Sequence, residues 1–281
     1  MDITSPASLL YLWDRRTFFL GVLTEPLQFS QAAAMLAVSL DRPIRVRTKS
    51  RGRDMFCHSV LFRSGQHVHA DTGDAVVATC YLDPFGQDYA NLAAVMTEVR
   101  AGMYVQLREE QFFQRVFTEM LWNTPTPDAA YTTLDQLFGQ RAAVPLSVDP
   151  RVVQVVHLIK ASVADNLSVE DLAHRVNLSV PRLVQLFKQQ IGVPIRRYRQ
   201  WHRLYVAAVE VARGNSLTDA AIAAGFTDSS HFSHTFRTML GMKPSTILSH
   251  LNRVRIFAPA RPDLDASLAG NHLPPPNQGE N

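Results

Sequence analysis

GNSLTDAAIAAGFTDSSHFSHTFRTMLGMKPS, residues 214–245, carries the most specific structural pattern in the sequence. It begins with a serine that can cap a helix, Ser216, followed three residues later by Asp219, as in a capping box. Small apolar residues fill the helix that starts there. Gly225 then provides a tight turn, because glycine adopts a positive φ freely. A second helix with phenylalanines on one face follows the turn. The stretch predicts two short helices packed closely across that turn.

The same pattern occurs earlier in the chain, in SVEDLAHRVNLSVPRLVQLF, residues 168–187. Ala173 aligns with Ala221, and we expect both alanines to lie where two helices cross closely. Asn177 aligns with Gly225, and asparagine is the residue that tolerates a positive φ best after glycine. Two copies in register predict a tandem of helix-turn-helix units.

The charge of the chain is unevenly distributed. Residues 151–250 contain 12 Lys and Arg against 6 Asp and Glu, whereas residues 1–150 contain 13 against 16. A basic module attached to a slightly acidic one is typical of a protein that binds nucleic acid. The alternative is that the excess charge only solvates a surface.

The rest of the chain divides by composition. Short β-prone runs at 42–49, 56–62 and 75–82, separated by glycine-containing turns, predict a β-sandwich or a small barrel. A Pro-containing linker precedes the helical repeats, and a tail rich in Pro, Asn and Gly follows them. The predicted domains are a β-rich domain (1–141), a linker (142–150), an all-α domain (151–255) and a disordered tail (256–281).

A wide aromatic stripe marks the helical segment 105–122, with Phe113, Phe117 and Met120 on one face. Two interpretations stay open. The stripe covers the predicted sheet, or part of it pairs with a second copy of the chain.

Composition limits the location and the chemistry. Two cysteines, Cys57 and Cys80, form neither a disulfide framework nor a CxxC motif, which favours a reducing compartment. The first residues lack the pattern of a signal peptide, and no apolar run is long enough to cross a membrane. We expect a cytoplasmic protein without a membrane partner.

The two repeats resemble the DNA-binding domain of the AraC/XylS family of transcription regulators. The match is most specific in 214–245 and extends to GVPIRRYRQWHRLYVAAVEVA, residues 192–212. The N-terminal region resembles, more weakly, the cupin-type sensing domain of the same family. The resemblance implies an α+β multidomain fold: a cupin-like β-barrel with a helical dimerisation region, then an all-α double helix-turn-helix domain. The partners it implies are promoter DNA, RNA polymerase, a small-molecule effector and a second copy of the chain.

The helix that enters a major groove reads base edges with outward side chains near its N-terminus. Removing the apolar positions from the two predicted recognition helices leaves nine DNA-binding candidates: Arg182, Gln185, Lys188, Gln189, Ser229, Ser230, Ser233, His234 and Arg237. Gln185 suits an adenine and Arg182 a guanine or a phosphate. His234 departs from the family, where arginine is frequent, and a histidine contact is weaker and sensitive to pH. Pro181 and Val184 suit thymine methyl groups or simply make fewer hydrogen bonds.

The predicted bridging helix carries a basic run whose role stays open. Its members are Arg196, Arg197, Arg199 and Arg203. Contact with phosphates, a solvated face and ion pairs within the domain are the alternatives.

A catalytic role finds little support. His67 and His69 form a His-x-His pair such as cupins use for metal, but the expected glutamate is missing, and Asp71 and Asp74 follow instead. A structural or pocket role is the alternative, and we expect no metal, no cofactor and no enzyme activity. The rival function is that of an interaction protein whose degenerate helices no longer bind DNA, as His234 and Pro181 suggest.

Overall fold

The computed structural model of the protein describes residues 6–23, 25–30, 32–48, 52–82, 87–139, 148–163, 167–248 and 254–259. Strands dominate the described chain as far as Leu107, and helices dominate it from Glu110 onwards. A last strand, at 254–257, extends past residue 255, where the predicted domain ended. Most of the predicted linker and nearly all of the predicted tail lie outside the described residues.

Short strands form two sheets in the described β-rich part. They are β1 (Ser8–Leu12), β2 (Arg16–Val22), β3 (Leu27–Phe29), β4 (Ala34–Ser39), β5 (Ile44–Thr48), β6 (Met55–Cys57), β7 (Ser59–Phe62), β8 (Val68–Asp71), β9 (Val76–Leu82), β10 (Met96–Arg100) and β11 (Met103–Leu107). A short helix, α1 (Asp88–Val95), separates β9 from β10. The larger sheet has the order β10-β11-β7-β4-β9-β2-β1-β12, where β12 is Val254–Phe257, and the smaller has the order β3-β8-β5-β6.

Neither sheet closes on itself within the described residues, so the predicted closed β-barrel is wrong. Side chains from both sheets, such as Phe19 and Val60 from the larger and Val46 and Val68 from the smaller, form one buried cluster between them. Phe236 from the helical part belongs to the same cluster, so the core between the sheets continues into the helical part. The coarser prediction, an N-terminal β-rich domain and a C-terminal helical domain, is confirmed.

The central strands of the larger sheet are buried on both faces. One face looks toward the smaller sheet, and the other, with Tyr11, Phe18 and Leu36, packs against helices α2 (Glu110–Asn123) and α3 (Pro127–Gly139). Every residue of β4 is consequently buried. By contrast β5 alternates buried and exposed residues, as its sequence predicts, because its outer face meets solvent.

Helix α2 covers the sheet with its aromatic stripe. Phe113, Phe117, Met120 and Leu121 are all buried in the cluster that this face shares with the sheet. Covering the sheet was one of the two interpretations of the stripe, and burial supports it. Trp122, at the end of the helix, is 59% exposed. Pairing with a second copy stays a prediction.

The helical part follows from Pro150. Its elements are α4 (Pro150–Ala161), α5 (Val169–Arg175), α6 (Val180–Ile191), α7 (Ile195–Ala212), α8 (Leu217–Ala223), α9 (Ser229–Leu240) and α10 (Pro244–Leu248). Strand β12 then pairs in parallel with β1, with Ser8 opposite Val254. No described helix has both the length and the apolar character that a membrane span requires.

Candidate nucleic-acid interface

Each of the two sequence repeats folds into two helices joined by a tight turn. The first unit comprises α5 and α6, the second comprises α8 and α9, and α7 connects them. The core of the first unit is shared with α4, whereas the core of the second is continuous with the core of the β-rich domain. The two units are therefore alike in fold but differ in their surroundings.

The predicted caps are present at the first helix of each unit. Ser168 Oγ accepts a hydrogen bond from the backbone N–H of Asp171 at 3.0 Å, and the Asp171 carboxylate accepts one from the Ser168 N–H at 3.2 Å. The Ser168 hydroxyl also donates to the Asp171 carboxylate at 2.8 Å, and this bond, followed by that from the Ser168 N–H, holds the pKa of Asp171 below its usual range. In the second unit Ser216 Oγ accepts from the Asp219 N–H at 3.1 Å. Both helix starts stand where the sequence predicts them.

The turns have the predicted geometry. Asn177 has φ 52° and Gly225 has φ 79°, both in the left-handed region. Ala173 and Ala221 are 2% and 0% exposed. Gly225 has a second reason to be glycine, because a Cβ on it would lie 2.6 Å from the carbonyl oxygen of Val163. The turn of the second unit thus sits directly against the chain that leaves α4.

Helix α6 turns its polar side outward. Its buried residues, Leu183, Leu186, Phe187 and Ile191, form one face. The four candidates on this helix are all exposed on the remaining surface: Arg182, Gln185, Lys188 and Gln189. Arg182 Nη1 donates a hydrogen bond to Gln185 Oε1 at 3.3 Å, which holds these two side chains next to each other.

Helix α9 has the same arrangement with a smaller polar face. Asp228 caps it by accepting a hydrogen bond from the His231 N–H at 2.7 Å, and this bond lowers the pKa of Asp228. Of the five candidates, three are exposed and two half-buried; the exposed ones are Ser230, His234 and Arg237, and the half-buried ones Ser229 and Ser233. Short side chains at the start of this helix allow a close approach to a backbone or a base edge.

The basic run of α7 mostly points into the fold. Arg196 is exposed, but the guanidinium groups of the other three arginines, Arg197, Arg199 and Arg203, donate to backbone carbonyls. The carbonyls belong, in the same order, to Ser30, Leu167 and Val163. Burial lowers the pKa of all three arginines. Arg199 and Arg203 thus contact backbone within the helical domain, Arg197 reaches the β-rich domain, and Arg196 lies on the surface.

His67 and His69 lie outside the core between the two sheets. Val68 and Ala70 are the buried residues of this strand, and His69 alternates with them on the outer face of the smaller sheet. His67 precedes the strand. Within the described residues no group of three or more His, Cys, Asp and Glu side chains is placed to hold a metal ion. The geometry therefore gives the His-x-His pattern no site between the sheets.

An apolar cavity of about 80 Å³ lies between the β-rich domain and the second unit. Sequence reasoning did not find it, because its walls come from strands and helices far apart in the chain. Leu10, Phe19 and Met35 line it from the sheet, and Trp201 and Phe236 line it from the helices. The residues that line it include no Lys, Arg, Asp or Glu. Polar groups are confined to hydroxyls and one indole, so the cavity suits an uncharged apolar molecule.

Two helix-turn-helix units with exposed polar helix faces define a tandem helix-turn-helix protein. In agreement, a family profile described as "Helix-turn-helix domain" matches residues 172–250. The HTH-type transcriptional activator RhaS of Escherichia fergusonii is 34% identical over 103 residues, 36% of this chain and 37% of that protein. The HTH-type transcriptional regulator ArgR of Pseudomonas aeruginosa is 26% identical over 112 residues, 38% of this chain and 34% of that protein. The chain thus spans little more than a third of the length of these relatives.

Solved structures extend the likeness to both domains. The crystal structure of ToxT from Vibrio cholerae O395 has a TM-score of 0.55 and covers 84% of this chain and 96% of its own. At 11% identity this likeness concerns the fold alone. Residues 172–250 thus contain a helix-turn-helix domain similar to those of these transcription regulators.

Proposed function

We propose that the protein regulates transcription by placing α6 and α9 in adjacent major grooves of promoter DNA. The observation that carries the proposal is the exposure of Arg182, Gln185 and Lys188 on α6 and of His234 and Arg237 on α9, opposite the buried face of each helix. A major groove admits one α-helix, and these helices lie in the basic part of the chain. Binding to phosphates then supplies affinity, and the side chains at base edges supply specificity.

The candidates have different roles in this proposal. Gln185 pairs with an adenine, and Arg182, which hydrogen-bonds to it, pairs with a guanine or a phosphate. Lys188 neutralises a phosphate, and Gln189 and the serines of α9 make short contacts to the backbone or to bases. His234 makes a weaker contact than arginine would. The first unit is therefore proposed to carry most of the specificity.

Regulation and DNA binding are proposed to be divided between residues 1–141 and 151–255, joined by 142–150. Residues 1–141 pair with a second copy and sense an effector, while 151–255 bind DNA in the cytoplasm. We propose activation through RNA polymerase, which is supported by the activator name of the similar RhaS proteins.

The apolar cavity is the proposed place of the effector. One ToxT structure is described as bound to an unsaturated fatty acid. Since no basic side chain lines the cavity here, an uncharged molecule is the better fit than a carboxylate. A ligand there would touch both the sheet and the helices that carry the second unit, so its binding would change how the two domains dock.

The test is in vitro selection of duplexes from fragmented genomic DNA with the full chain, at several salt concentrations. The wild type is expected to enrich sites with two half-sites about one helical turn apart. Failure to enrich any sequence, with only weak binding that ignores sequence, contradicts the proposal and favours an interaction protein.

Binding of variants to the selected site then separates the role of Gln185 from that of Lys188. Gln185→Ala is expected to relax the preference at one base pair by about 1–3 kcal/mol. Lys188→Ala is expected to weaken binding to all sequences and to lower the salt slope by about one unit. Gln136→Ala, an exposed glutamine on α3, is the matched control and is expected to bind as the wild type does. Equal losses on all sequences for Gln185→Ala and Lys188→Ala contradict this division.

A further inference from the structure

Both helix-turn-helix units rest on one stretch of the β-rich domain, which consists of β3 and the residues after it. We infer that this stretch, Leu27–Ser30 together with Ala32 and here called the wedge, sets the distance between the two recognition helices. It thereby determines which spacing of the two half-sites the protein accepts. The inference rests on the proposed function, since it concerns how two DNA-reading helices are held.

The wedge contacts the first unit and the start of α7. Ala32 is 1% exposed and belongs to the buried cluster of α4, α5 and α6. The guanidinium of Arg197 donates a hydrogen bond to the Ser30 carbonyl. Beside the wedge, Ser64 Oγ donates to the carbonyl of Ile191, at the end of α6, at 3.2 Å. The first unit is therefore attached to the β-rich domain at several points.

The wedge contacts the second unit as well. The backbone N–H of Ser30 donates to the carbonyl of Thr238 in α9 at 3.3 Å. Backbones come close at Gly241, where a Cβ would lie 2.9 Å from the amide nitrogen of Gln28. Leu27 is buried in the same cluster as the apolar side chains of α9. Ser30 thus bonds the start of α7 through its carbonyl oxygen and the second unit through its amide.

These contacts add a second connection to the one that α7 provides. A long helix bends, so α7 alone leaves the angle between the units adjustable. Any rotation of one unit about α7 breaks its contacts with the wedge. On DNA, one additional base pair moves the second half-site by about 3.4 Å and turns it by about 34°. A protein whose two units are connected by both α7 and the wedge therefore discriminates better between half-site spacings that differ by one base pair than a protein whose units are connected by α7 alone.

A substitution of Arg197 can test whether the wedge sets the distance between the two recognition helices. It is half-buried, and burial disfavours its charged form, a cost that an exposed arginine avoids. Its neighbour Arg196 is exposed on the same helix. Neutralising one or the other removes the same charge from the same helix, but among the described contacts it is Arg197 that bonds to the wedge.

The experiment is selection from a pool of random duplexes with full-length wild type, Arg197→Gln and the matched control Arg196→Gln. A second pair, Gly241→Ala against Gly214→Ala, serves if Arg197→Gln folds poorly. Both glycines have a positive φ, but a Cβ meets the wedge at Gly241 and nothing within 4 Å at Gly214. The readout is the distribution of distances between half-sites, which a general loss of stability does not broaden.

The wild type and both controls are expected to select one spacing and to bind a duplex lengthened by one base pair about tenfold more weakly. Arg197→Gln and Gly241→Ala are expected to select the same half-sites at two or more neighbouring spacings, with affinities within about threefold. A single, unchanged spacing for both wedge variants overturns the inference while leaving the proposed function intact. Absence of enrichment by the wild type overturns both.

Discussion

Replacing Gly225 by alanine is expected to destabilise the protein by two separable effects. An L-residue at φ 79° costs about 1–2 kcal/mol relative to its preferred region. The new Cβ would lie 2.6 Å from the carbonyl oxygen of Val163, which therefore has to move. That carbonyl accepts a hydrogen bond from Arg203 at 3.4 Å, and weakening this bond costs about 1 kcal/mol. The expected loss in the free energy of unfolding is about 2–3 kcal/mol.

Two control variants separate the backbone cost of a positive φ from the cost of the contact with Val163. Gly214→Ala has a φ of 96° and no atom within 4 Å of the new Cβ, so it is expected to lose only the backbone term, about 1–2 kcal/mol. Asn177→Gly, at the equivalent turn of the first unit, is expected to change stability by no more than about 1 kcal/mol. The measurement is urea unfolding of the full chain followed by tryptophan fluorescence, since Trp201 lies between the two domains.

The comparison decides between the two effects. Equal losses for Gly225→Ala and Gly214→Ala would show that the contact with Val163 carries no cost. A loss below about 0.5 kcal/mol for Gly225→Ala would refute the assignment of a required positive φ as well.

Other predictions address charge, stacking and capping. Burial, followed by the nearby Lys160, lowers the pKa of His202 to about 4, so the unfolded chain binds more protons between pH 6.5 and 4, and stability is expected to fall by up to about 3 kcal/mol across that range. His202→Asn should flatten this dependence in urea titrations at several pH values. Phe257→Ala removes a ring stacked 4.6 Å from that of Tyr11 and should cost about 1 kcal/mol and speed hydrogen exchange in β1. Ser168→Ala should lower the thermal midpoint by an amount equivalent to about 1 kcal/mol, whereas Ser179→Ala, whose side chain caps nothing, should leave it nearly unchanged.

The helical half could be predicted because its signals are local. Caps at Ser168 and Ser216 and positive φ at Asn177 and Gly225 are decided by residues within one turn of the helix. In each repeat, the spacing of the leucines and phenylalanines identifies the buried face of the helix, and the polar face lies opposite to it. The outward position of Gln185 follows from this register alone.

Long-range packing explains what the sequence could not reveal. Strand alternation predicts which face of β5 meets solvent, but it does not tell whether the strands close into a barrel or form two open sheets. An arginine next to other arginines suggests a solvated surface. Arg197 instead donates a hydrogen bond to the carbonyl of Ser30, which belongs to the β-rich domain and lies far away in sequence. The walls of the apolar cavity and the wedge share this origin, since each is assembled from distant segments.

Strand β12 has a consequence for how the protein is made. Its partner β1 begins at Ser8, so the larger sheet lacks one of its edge strands until Val254 has been synthesised. Domains usually fold in order as the chain emerges from the ribosome. Here the β-rich domain exposes the backbone of β1 while the whole helical domain is being added, and an exposed strand edge invites pairing with other chains. The edge of β1 is therefore covered only once β12 has been synthesised.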